Sequence, residues 1–177
     1  MNTERFLKNI MDQIKEAQLK LGYVKETVRL YYPTASLNGL LGTDCTTAGE
    51  LAELLKHTFR QKTVLGVLQF HTHADRIEIG IPPEGAEYVH QKVETPAFLK
   101  ELIGLFQTHH SCSLEELQEV FGRYGRFMCE KMPEGSDFDY VMYFENEAVD
   151  EYYYCIKMEM GHTIYHRFIK DDYLALL

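Results

Sequence analysis

The sequence predicts an α+β fold: N-terminal helices with a β-hairpin, then two helices and a C-terminal antiparallel sheet. Three observations predict it. Apolar residues recur at helical spacing in the first half and again between residues 96 and 122. They switch to a period of two around residues 76–81 and again over 162–168, and residues 126–169 as a whole are β-rich. Short turn signals, Pro133-Glu134-Gly135 and Met160-Gly161, join the later strands and imply antiparallel pairing.

The first helix is carried by Phe6, Leu7, Ile10, Met11, Ile14, Ala17 and Leu21, with Gly22 as its stop. Residues 27–32 are β-branched and aromatic and read as a short strand that Pro33 ends. Thr34 is the expected cap of a short helix over 35–41, closed by Gly42. In "DCTTAGELAELLKHTFRQ", Thr47 and Glu50 have capping-box spacing, and Leu51, Leu54, Leu55 and Phe59 form the buried stripe. "VLGVLQF" and "RIEIGI" read as two strands with a turn over 72–75. Residues 84–92 suit a short helix. Thr95 and Pro96 open a helix with Phe98, Leu99, Leu102, Ile103 and Phe106 inward. Ser113 and Glu116 open another. Strands follow near 126–132, 138–145, 151–159 and 162–169, and "KDDYLALL" closes the chain as a helical turn.

The chain of 177 residues fits a single compact domain, or two lobes covering 1–93 and 94–177. Its composition, 45% hydrophobic and 25% charged, is that of a globular protein able to bury a core without disulfides or metal. With 12 Tyr, 10 Phe and no Trp, its aromatic core falls to the single-ring side chains. A net charge of −9 repels nucleic-acid phosphate and anionic membrane surfaces alike. Cys45, Cys112, Cys129 and Cys155 are widely spaced, and the charged N-terminus has no signal-peptide pattern. The expectation is a cytoplasmic protein with reduced thiols and no membrane span.

"TAGELAELL" (47–55) and "SLEELQEVF" (113–121) align without gaps. Each follows an apolar helical segment and precedes a candidate hairpin. The order helix–turn–helix–hairpin therefore occurs twice, which is the order of a winged-helix unit and raises a duplicated scaffold. Glu50, Glu53, Glu115, Glu116 and Glu119 lie on the second helix of each copy, where a DNA reader carries Arg and Lys.

"VRLYYPTASLNGLLG" and "YYYCIKMEMGHTIYHRF" together resemble a bacterial family of uncharacterised proteins, a domain of unknown function. The resemblance covers most of the chain. It implies no activity, cofactor or site residue.

The chemistry-bearing candidates are few. His71, His73 and Asp75 alternate at the end of an apolar run, so both imidazoles share one side of a strand. That donor set suits zinc or a similar divalent ion. The string resembles the His-x-His-x-Asp-His pattern of the metallo-β-lactamase superfamily. It departs from it at Arg76, which replaces the last histidine, and in the strand that follows. An amidohydrolase barrel would need about 250 residues. The structural alternative is a hairpin tip, with Leu68 and Phe70 inward and the histidines in solvent. His109, His110 and Cys112 form a second ligand-like group without a partner pair, read as an inter-helix loop. His162 and His166 share a strand face and could complete a metal shell with the first group. Cys45 and Cys112 precede helices whose dipoles could lower their pKa. The tyrosines of "YVMYFENEAVDEYYYC" suit a sheet, or a stacking platform for a small ligand.

The leading expectation is thus a non-catalytic interaction or regulatory module with a protein partner. Beside it stand a metal-dependent, hydrolase-like enzyme on His71, His73 and Asp75, and a ligand-binding module on the tyrosine-rich sheet.

Overall fold

The computed structural model describes residues 1–109 and 111–177. It is an α+β chain whose contacts gather into two compact units, Met1–Thr95 and Pro96–Leu177. No helix among the described residues is long and apolar enough to cross a membrane.

The first unit opens with α1, Thr3–Leu21. The Asn2 side chain accepts from the Arg5 N–H at 3.0 Å, and Gly22 ends the helix at φ 85°. Phe6, Ile10 and Ile14 are buried, whereas Leu21 is 85% exposed, so the apolar stripe is narrower than its sequence pattern. Strand β1, Val28–Pro33, leads directly into α2, Thr34–Leu41. Thr34 does not cap α2: both its N–H and its hydroxyl donate to the Asp75 carbonyl, at 3.0 and 2.7 Å. Gly42 closes α2 in the left-handed region, as expected.

Helix α3, Ala48–Thr58, starts at Thr47, whose hydroxyl accepts from the Glu50 N–H. The reciprocal half of the box is displaced by one residue. Glu50 takes the N–H and hydroxyl of Thr46, at 2.9 and 3.1 Å, because Thr46 offers it two donors at once. "VLGV" is not a strand. Thr63 and Gly66 exchange backbone bonds in a tight turn, Gly66 takes φ 90°, and Leu65 plugs the core while Val64 and Val67 stay exposed. The strand starts later, as β2, Gln69–His73, and returns as β3, Arg76–Ile81. β3 also pairs antiparallel with β1, giving the order β1-β3-β2. Helix α4, Pro83–Lys92, completes the unit. Gly85 is required there, since a Cβ would collide with the Leu65 carbonyl and the Ile81 side chain.

The second unit begins with α5, Ala97–Thr108, and α6, Leu114–Tyr124. Pro96, not Thr95, occupies the cap position of α5, with no side-chain cap bond. The α6 capping box is complete: the Glu116 N–H donates to Ser113 Oγ at 3.1 Å, and the Ser113 N–H donates to the Glu116 carboxylate at 2.8 Å. A meander follows: β4 (Phe127–Lys131), β5 (Tyr140–Phe144), β6 (Tyr153–Glu159) and β7 (His162–Phe168), in that spatial order. A short helix, α7 (Lys170–Leu174), ends the chain.

One face of this sheet packs on α5 and α6 through aromatic edges. Phe98 meets Phe121, Phe144 and Tyr154 edge-on at 4.7, 4.8 and 5.5 Å. The other face holds a smaller core of Met132, Val141, Cys155 and Tyr173.

Candidate functional site

Strand alternation sorts the first sheet into two faces. Ile77, Ile79, Ile81 and Phe70 point inward and are buried. Arg29 and Tyr31 of β1, Glu78 of β3, and Gln69, His71 and His73 of β2 point outward. The pairing places Tyr31, Glu78 and His71 in one row across the three strands. Gly80 leaves room for Gln69 in the next row, since a Cβ there would stand 3.3 Å from that of Gln69.

Glu78 is the hub of this face, on the central strand with its side chain only 13% exposed. Its carboxylate meets His73 Nε2 at 2.9 Å and Arg29 Nε at 3.3 Å, and the Tyr31 hydroxyl donates to it. The Tyr31 ring also stands edge-on to His73 at 5.9 Å. Burial pushes the Glu78 carboxyl up. The hydrogen bonds from His73 and Tyr31, with the charges of His73 and Arg29, outweigh it and hold the group below the usual carboxylate range. A carboxylate engaged by three donors is an anchor, not a free general base. The face it organises is polar and aromatic, built around Arg29, Tyr31 and His73.

The histidine strings take separate places. His71 and His73 lie within β2 and are exposed, and Asp75 is exposed in the two-residue turn beyond. His73 is bonded to Glu78, and the Asp75 carbonyl serves Thr34. His162 and His166 are exposed on β7, with the Phe138 ring edge-on to His166 at 5.5 Å. His110 lies outside the described residues. Cys112 is buried and directs its thiol at the carbonyls of His109 and Leu105, at 3.5 and 3.8 Å. Among the described residues, no group of three or more His, Cys, Asp or Glu could hold a metal ion.

The thiols run opposite to the helix-dipole expectation. Burial, with the charges of Glu50 and Asp44, pushes Cys45 up. Burial and Glu116 push Cys112 up, and burial alone takes Cys155 to about 11. None of these three is an activated nucleophile.

The tyrosine-rich sheet uses its rings on one another. Tyr153 stacks between Tyr143 and Tyr173, with centroids 4.4 and 4.7 Å away. Tyr143 donates to Glu130 at 2.8 Å, and burial followed by that bond raises its pKa to about 12. Tyr154 is fully buried and donates to Asp150 at 2.9 Å. Beside this stack lies an open cleft of about 310 Å³, edged by Glu145, Glu147, Glu151 and Lys170.

Sequence reasoning reached His71 and His73 but missed Arg29, Tyr31 and Glu78. Alternation in "RIEIGI" already put Glu78 opposite the isoleucines. Nothing local showed which strand would bring its partners.

Fold and site together define an α+β chain whose first sheet carries a polar and aromatic face centred on Glu78. The chain belongs to the bacterial family described as "Domain of unknown function, E. rectale Gene description (DUF3877)", whose model matches residues 3–177. No curated protein and no solved structure matches it.

Proposed function

We propose that the chain is a non-catalytic interaction or regulatory module of the bacterial cytoplasm, with a winged-helix-like first unit that binds a basic segment of another protein. The charge of α3 carries this reading. The order α1-β1-α2-α3-β2-β3, with the sheet order β1-β3-β2, supports a winged-helix-like scaffold in which α3 holds the recognition position and β2-β3 is the wing. A DNA-reading helix offers Arg and Lys to phosphates and base edges. Helix α3 instead exposes Gly49, Glu50, Glu53, Lys56 and His57, and Lys56 is paired with Glu53 at 2.8 Å. On a chain of net charge −9, that helix repels phosphate and attracts cationic side chains.

Support for a duplicated scaffold is confined to α3 and α6, which share a hydroxyl cap and lead into antiparallel strands. The first unit has β1 before its helix pair, whereas α5 and α6 have no such strand and lead into four. The family model spans both units, which supports their working as one domain. Four free cysteines fit a reducing compartment. The hydrolase on His71, His73 and Asp75 gains no observation of its own, and the ligand module on the tyrosine-rich sheet has only the open cleft beside Tyr143 and Tyr153.

The test is co-purification from a native bacterial host, with a Glu50→Lys Glu53→Lys variant as control. A stoichiometric basic protein should accompany the native chain and be lost from the variant. A native chain that shifts DNA with steep salt dependence would overturn the reading.

A further inference from the structure

We propose that a pocket at the C-terminal end of α1 binds a small organic amine, an ammonium group carried on an apolar body. The pocket encloses about 270 Å³, just below the range of roughly 300–1,000 Å³ usual for drug-sized ligands. It lies wholly within the first unit, between the last turns of α1, residues 22–29 and the first half of α4. Ile14 and Ala86 are buried and form its floor, and Ala17 and Val28 line it above them. Leu21 and Val24 stand at the rim, both largely exposed. Two large apolar side chains in water, beside an apolar floor, are the surface that a ligand's apolar body covers.

The polar groups of the pocket set the chemistry of the ligand's head. Gln18 lines it and donates its side-chain N–H to the Ala86 carbonyl at 2.9 Å, which fixes the amide. The Gln18 Oε1 is buried and meets no donor. A buried acceptor without a donor carries its full desolvation cost, and a ligand N–H removes that cost. The Glu26 carboxylate, exposed at the mouth, has no hydrogen-bond or ion-pair partner among the described residues. The end of the 19-residue α1 adds the negative pole of its dipole, where the last carbonyls lack intrahelical donors.

The cations around the pocket are already matched. Lys20 is held by Glu16 at 2.8 Å, Lys25 by Glu87 at 2.9 Å and Arg29 by Glu78 at 3.3 Å. The uncommitted charge at the mouth is therefore negative, and the net charge of −9 draws cations toward it. An anion finds no matching group here. An ammonium finds the Gln18 oxygen, the Glu26 carboxylate and the helix terminus, while its apolar body takes the pocket. No residue of α3 lines this site, so the inference does not depend on the partner proposed for that helix.

Calorimetric titration and NMR shift mapping on the full chain test it with three probes that share one ring: 2-phenylethylamine, 2-phenylethanol and 3-phenylpropionate. The amine should bind saturably and shift the Gln18 side-chain amide together with the Gly22 and Ala86 backbone amides. The propionate should bind about tenfold more weakly or not at all. Glu26→Gln should weaken the amine by about threefold, the worth of one exposed charge, and leave the alcohol unchanged. Ala17→Leu fills the pocket from an exposed helical position and should abolish amine binding with the melting temperature unchanged. An amine that fails to saturate at millimolar concentration overturns the proposal. So does a propionate or alcohol that binds as tightly as the amine, or amine binding that survives Ala17→Leu.

Discussion

Removing the Tyr154 hydroxyl, by Tyr154→Phe, separates a structural use of the tyrosine-rich sheet from a ligand-binding one. The ring is fully buried and lies edge-on to Phe98 and Phe121 at 5.5 Å each, contacts that phenylalanine keeps. Only the hydroxyl is lost, and with it a 2.9 Å bond to an Asp150 oxygen whose neighbour accepts the Tyr152 N–H at 2.8 Å, and the hydrogen bond the hydroxyl accepts from Arg167. A hydrogen bond to a charged group is worth about 1.5–3 kcal/mol. At about 2 kcal/mol, and about 2–4 °C per kcal/mol for a chain of this size, Tm should fall by about 4–8 °C. Urea unfolding followed by far-UV circular dichroism reads the same loss as a shift in midpoint at constant m. There is also a pH signature. Burial first, then the charge of Asp150, holds the Tyr154 hydroxyl well above its usual range. A raised acid binds its proton more tightly when folded. Its contribution is complete below the unfolded value, about 10, and is lost as pH rises beyond it. The variant should therefore lose stability less steeply above about pH 10 than the native chain. A variant as stable as the native chain, with the same alkaline slope, would refute the buried-bond account.

Glu78 gives the opposite pH limb. Its folded carboxyl is depressed, so its contribution is present above the unfolded value, about 4.3, and is lost as pH falls through the folded one. Glu78→Gln should flatten that acid limb, read as urea midpoint against pH. Ser113→Ala removes the acceptor of the Glu116 N–H in the complete capping box and should cost about 1 kcal/mol, measured by chemical unfolding. Met160→Asn should stabilise the chain by up to about 1 kcal/mol in the same assay. Met160 sits at φ 51° before Gly161 in a hairpin turn that favours Asn-Gly, and its side chain, 92% exposed, packs on almost nothing.

How much the sequence revealed depended on the distance over which each feature is encoded. Helices α1, α3, α5 and α6 were legible because their periodicity and caps lie within one short window. Strands β3 and β7 were legible because alternation is equally local, and the Met160–Gly161 turn announced its hairpin. "VLGV" misled for the same reason. Three branched aliphatic residues look like a strand, yet Gly66 at φ 90° folds them into a turn, and only the core decides that Leu65 enters it. Thr34 was misread because its competing acceptor, the Asp75 carbonyl, arrives from 41 residues away.

The candidate site was the least legible part, since its geometry is entirely a matter of pairing. Tyr31 meets Glu78 because β1 pairs with β3, and the turn holds His73 beside the same carboxylate. The His-x-His spacing drew attention to β2 for its ligands. The pairing gives those histidines a different meaning. Once the order β1-β3-β2 is known, His73 is a partner of the central Glu78 carboxylate, 2.9 Å away, while His71 and Asp75 stand in separate exposed positions, so the spacing that suggests a ligand set instead reflects strand alternation on one face of a sheet.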